Sequence, residues 1–247
     1  MSQVIRISAV SYLNSIPFVY GIKNSGILEN YSMELDVPST CAEKLLKERV
    51  DIGLVPVALI PSLKEYHIIS EYCIGAVGKV RTVLLLSNIP LNEIKTIYLD
   101  NDSLTSVNLL RVLLRDYWKI KPELRKISSP AELSQEHPAL LIGDKTFPAE
   151  SKYKYVYDLA ECWINYTGLP FVFAAWISNK KLPESFISQF NQALLYGLNN
   201  IEDTVKTMNN IIPNDIAIDY LKNYISYPLT KGKKEGMNLF LQKLRTF

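Results

Sequence analysis

Apolar and polar positions alternate over residues 4–10 and predict a first strand that stops at the polar run Ser11-Tyr12-Leu13-Asn14. Pro17 follows where a helix can begin, because the N–H that proline lacks is spare in a first turn. Residues 34–37 read as a short strand. Thr40 and Glu43 then have capping-box spacing ahead of an amphipathic helix over 41–49, with Leu45 and Leu46 inward. The run from Asp51 through Val55 predicts a buried strand, and Pro56 opens a turn or helix reaching Leu63. Residues 68–74 and 80–87 are β-rich, with a turn over 75–78 between them.

The pattern resets at Pro90. Strands are predicted over 97–99, 139–142 and 171–177, and helices over 107–118 and 156–166. Residues 100–106 are polar and rich in capping side chains. The last third is helical, with segments over 184–199, 201–209, 213–223 and 232–244. Strand–helix alternation of this kind argues for α/β layers with mostly parallel sheets. A chain that leaves a first lobe near residues 87–91 and returns near 174–179 gives two lobes, 1–88 plus 178–247 and then 89–177. Lobes joined in this way close over small ligands in the cleft between them. A single doubly wound domain would show a similar pattern.

Charge narrows the partners. With 27 basic against 25 acidic side chains the net charge is +2, so there is no basic excess of the kind a nucleic-acid binder carries. The apolar runs fall short of the ~20 residues that span a bilayer, so no membrane partner is expected. The first residues, Met1 to Val10, are interrupted by Arg6 and do not read as an export signal. A cytoplasmic location is therefore expected. Cys41, Cys73 and Cys162 are odd in number and far apart, which fits reduced thiols better than a disulfide framework. His67 and His137 have no His or Cys neighbour at ligand spacing, so no metal is expected.

Four segments, taken together and in order, resemble the chorismate dehydratase family. They are Ser11-Tyr-Leu-Asn-Ser-Ile-Pro-Phe18, Asp51-Ile-Gly-Leu-Val-Pro-Val57, Leu99-Asp-Asn-Asp-Ser-Leu-Thr-Ser-Val107, and Asp158-Leu-Ala-Glu-Cys-Trp163 through Thr167-Gly-Leu-Pro-Phe-Val-Phe-Ala174. Leu141-Ile-Gly-Asp144, Cys73-Ile-Gly-Ala76 and Val80-Arg-Thr-Val83 match as well, whereas the helical tail matches only in general character. The resemblance implies a two-lobed α/β fold of the type II periplasmic-binding-protein kind, with mixed sheets flanked by helices and two hinge crossovers. It implies a carbon–oxygen lyase of menaquinone biosynthesis by the futalosine route. Its small-molecule substrate, chorismate, would lose water to give 3-[(1-carboxyvinyl)oxy]benzoate without cofactor or metal.

The residues themselves fit such a site. Asn14 follows the first strand, where open α/β sheets place ligands, and its amide suits a substrate hydroxyl or the departing water. A plain turn residue is the competing account. Thr82, where relatives commonly have Ser, offers a second hydroxyl, though a β-branched residue also simply suits a strand. These two are the catalytic candidates. Ser103, Thr105 and Ser106 precede a helix, where hydroxyls and free N–H groups hold a carboxylate, although one of them is needed as a cap. Relatives usually carry Arg where this chain has Leu104, which removes a charge from that anion site. Ser11, Tyr12, Pro56, Gly143 and Asp144 complete the expected substrate contacts, with Arg81 and Lys145 as further carboxylate partners. Trp163, Phe171, Phe173 and Trp176 are expected in the core. The motifs hold no evident protein base, so a substrate carboxylate is expected to help take the ring proton. Competing accounts are a solute-binding protein, an effector domain and the related 1,4-dihydroxy-6-naphthoate synthase.

Overall fold

The computed structural model describes residues 4–100, 103–127, 137–207 and 212–247. Residues 101–102 of the polar run and the predicted helix end at 208–209 lie outside the described residues. From the N-terminus, β1 (Ile5–Val10), α1 (Ile16–Asn24), β2 (Tyr31–Asp36), α2 (Pro38–Leu46), β3 (Ile52–Pro56) and β4 (His67–Ala76) belong to the first sheet and its helices. The second sheet and its helices comprise β5 (Val83–Ser87), β6 (Thr96–Leu99), α3 (Leu104–Val112), β7 (Glu123–Lys126), β8 (Ala139–Ile142), α4 (Phe147–Glu150), β9 (Tyr155–Asp158) and α5 (Leu159–Thr167). The chain then returns through β10 (Phe171–Ser178), α6 (Glu184–Asn199), α7 (Ile201–Lys206), α8 (Asn214–Asp219), β11 (Ser226–Pro228) and α9 (Lys231–Leu244).

The six-stranded sheet has the order β11-β4-β10-β3-β1-β2, and the five-stranded sheet β7-β6-β8-β5-β9. Both are mixed rather than mostly parallel. In the first, β1 runs parallel to β2 and β3, while β10 is antiparallel to β3 and β4. In the second, β6 is parallel to β7 and β8, and β5 is antiparallel to β8 and β9. Strand membership differs from the sequence reading at both crossings. β5, placed in the first lobe from its position in the chain, ladders with β8 and β9; β10, placed in the second, lies between β4 and β3. Both strands are apolar on two faces, so each needs neighbours on either side, and an apolar run does not say which sheet supplies them.

Other differences are local. Pro38 starts α2 at its first turn, so Thr40 lies inside the helix and the predicted capping box does not form. Leu46 is exposed rather than inward. Gly75 continues β4 instead of opening a turn. Residues 155–158 form β9 where a helix was expected, because Asp158 accepts from the Ala160 and Glu161 amides and starts α5 only at Leu159.

The same Asp158 carboxylate accepts from the Val80 and Arg81 amides at 2.8 and 2.7 Å. One buried side chain thus caps α5 and pins the outgoing crossing. Burial pushes its carboxyl up, and the amide donors pull it down. Trp163, Phe171 and Trp176 are fully buried, as expected for core residues, and Phe173 is nearly so.

Candidate functional site

A cavity of about 50 Å³ opens where the two sheets face each other. Its polar wall is made by Tyr12, Asn14, Thr82, Ser103, Ser106 and Gly143, and its apolar wall includes Pro56, Ile142 and Phe173. Seven of the expected site residues therefore meet in one place: these six polar positions and Pro56. The end of β1 brings Tyr12 and Asn14, and the end of β3 Pro56; the outgoing crossing brings Thr82; α3 and the end of β8 bring Ser103, Ser106 and Gly143. This is the carboxyl-end geometry at which α/β sheets hold ligands.

Local structure explains each position. β1 ends at Val10, and a single helical turn over Leu13–Ser15 carries Asn14; the Ser15 hydroxyl donates to the Val10 and Tyr12 carbonyls and fixes that turn. The helix α3 starts three residues earlier than predicted. Ser103 is its cap, accepting from the Ser106 amide at 3.4 Å, and Ser106 sits in the first turn with its hydroxyl 3.1 Å from that of Ser103. Gly143 adopts φ 78°, a conformation few side chains tolerate, and a Cβ there would lie 3.1 Å from the Tyr12 ring.

Three expected contacts lie outside the cavity wall. Ser11 is exposed just after β1. The Thr105 hydroxyl is buried and accepts from the Ala58 amide at 3.1 Å, tying α3 to the turn after β3. Asp144 accepts from the Leu13 amide at 3.2 and 3.3 Å, a bond that links the two halves at the rim of the cavity. Burial pushes the Asp144 carboxyl up, with the Leu13 amide pulling the other way. The two expected cations are engaged elsewhere. Arg81 pairs with Glu150 at 3.1 Å and lies 5.1 and 5.7 Å from the Tyr224 and Phe147 ring centres; Lys145 pairs with Asp100. Leu104, 43% exposed beside Ser103, adds no charge.

None of the described lining residues is a carboxylate, imidazole or amine. The wall supplies hydroxyls, an amide and the amino end of α3, which together suit a carboxylate and a neutral oxygen substituent. Among the described residues, no group of three or more His, Cys, Asp and Glu is placed to hold a metal. No helix among them is long and apolar enough to cross a membrane.

Sequence reasoning missed Tyr220. Its fully buried hydroxyl lies 2.7 Å from Thr82 Oγ1. Tyr227 also reaches the site, donating to the Asn14 carbonyl at 3.0 Å. The usable signal was a tyrosine on the apolar stripe Ala217, Tyr220 and Leu221, since a buried phenol needs a polar partner.

A family model described as menaquinone biosynthesis matches residues 5–246. A protein named chorismate dehydratase, from Thermus thermophilus, is 24% identical over 94% of this chain and 92% of its own length. Among solved structures, a protein of Archaeoglobus fulgidus superposes with a TM-score of 0.79 at 13% identity, covering 98% of this chain and 97% of that one. The periplasmic aliphatic sulphonate binding protein of Escherichia coli superposes at 0.66 with 15% identity, covering 100% and 92%. The fold is that of the periplasmic binding proteins.

Proposed function

The chain belongs to the menaquinone biosynthesis family, and from that premise we propose that it is a chorismate dehydratase, a cofactor-independent lyase of the futalosine route. It removes water from chorismate to give 3-[(1-carboxyvinyl)oxy]benzoate. The observation that carries this reading is the meeting of Tyr12, Asn14, Pro56, Thr82, Ser103, Ser106 and Gly143 in one cavity between the sheets. The Thermus relative, by its name, supports the same reaction.

The chemistry asks little of the protein. One ring C–H bond and the ring C–OH bond break, one ring C=C bond forms, and proton and hydroxide leave together as water. The product is aromatic, so the driving force lies in the substrate. The protein has to hold the ring, stabilise charge on the departing oxygen and keep the proton acceptor close. In this assignment the amino end of α3, with Ser103 and Ser106, takes one carboxylate. Asn14 and Thr82 hold the departing hydroxyl. A substrate carboxylate accepts the ring proton, because the lining offers no protein base. Asp144 is the nearest alternative, and its bond to Leu13 gives it a structural role at the rim.

The test is direct. Purified protein is mixed with chorismate and the products are weighed by mass spectrometry. A product lighter by one water, absent from a heat-killed control, is expected. Chorismate recovered unchanged, with tight binding of some other anion, would make the chain a binding protein instead.

A further inference from the structure

Tyr220 lies behind the cavity wall, in contact with the candidate catalytic side chain of Thr82. Its hydroxyl is 2.7 Å from Thr82 Oγ1. Its ring is fully buried and meets Phe147 edge-on, with centres 5.2 Å apart and planes at 89°. The residue thus touches the outgoing crossing and α4.

A phenol is more acidic than an aliphatic hydroxyl and is the better donor of the two. At 2.7 Å the phenol therefore donates to Thr82 Oγ1. That leaves the Thr82 proton for a third group. Within the protein its alternative acceptor is the Val80 carbonyl at 3.4 Å, a long bond, whereas Thr82 also lines the cavity. We propose that Tyr220 is a positioning residue: by donating to Thr82 it presents the threonine hydroxyl as a donor to the departing oxygen. This rests on the dehydratase reading above. Burial, with the Asp144 charge nearby, keeps the phenol protonated well beyond its ordinary range, so its proton is not lost at working pH.

The test compares wild type with Tyr220→Phe, measuring kcat and KM on chorismate. Loss of a donor's orientation at the reacting atoms lowers kcat by ~10–100-fold. KM stays within about threefold, because substrate binding in the ground state does not use this bond. A merely structural hydroxyl would lower the melting temperature and leave kcat of the folded variant within about twofold; that result overturns the relay alone. If wild type leaves chorismate intact, the relay and the dehydratase reading fall together. Where the phenylalanine variant does not fold, 4-fluorophenylalanine at position 220 fills the space without a donor and must show the same loss in kcat, or the relay is rejected.

Discussion

Asp51 shows how single side chains hold this molecule together. It is nearly buried at the start of β3, accepts from the Arg6 backbone and side chain, and pairs with Lys180 at 2.8 Å. Burial opposes its charge, but these partners prevail and hold the carboxyl below its usual range. Both cations are partly exposed, which discounts the pairing, so Asp51→Asn should lower stability by ~1–3 kcal/mol at neutral pH. The folded value lies below the unfolded one. The stabilisation is therefore complete above the ordinary carboxylate value of ~3.9 and fades as the pH drops below it. Denaturant melts at pH 7 and pH 3 check this: the gap between wild type and the asparagine variant should narrow in acid. At this scale the family motifs mix residues on and off the cavity wall: Ser11, Thr105 and Asp144 lie off it. Asn14, Thr82, Ser103, Ser106 and Gly143 all line the cavity. Tyr220 was not legible, because it sits in the tail, where motif resemblance stops and only a contact across 138 residues of chain reveals its partner.

Elements were legible where a buried apolar run or a helical period marks them. β1, β3, β8 and α6 lie within a residue of the predicted bounds. The unpredicted strands are short edges: β7 and β9 have four residues each and β11 three, none of them fully buried. Helix starts were misjudged where proline or a buried cap decided them, at Pro38, Ser103 and Asp158. The Ser103 cap carries a prediction at this scale. Ser103→Ala removes the acceptor for the Ser106 amide, and a lost cap costs about 1 kcal/mol. The same change takes a hydroxyl from the cavity wall, so KM for chorismate should rise as the denaturation midpoint falls. A midpoint shift with unchanged KM would confine Ser103 to capping.

At the scale of the whole molecule, the two halves touch at the cavity rim through Leu13 with Asp144 and Tyr12 with Gly143, and behind it through Ala58 with Thr105. The two-layered organisation was readable in the sequence, while the exact strand membership was not. Alternation of elements reports layers, whereas membership depends on pairings between distant strands such as β5 with β9 and β10 with β3. The rim contacts are also testable. Gly143→Ala forces a Cβ against the Tyr12 ring at a backbone angle that disfavours side chains. Turnover and substrate affinity should both fall, since both residues line the cavity; steady-state kinetics with normal secondary structure by circular dichroism would separate this from misfolding. The account as a whole is tested most directly by a crystal structure with the benzoate product bound. It predicts the ring between the two sheets, a carboxylate at Ser103 and Ser106, and the carbon that lost oxygen facing Asn14 and Thr82. A ligand seated anywhere else, or those side chains turned away from it, would contradict the account.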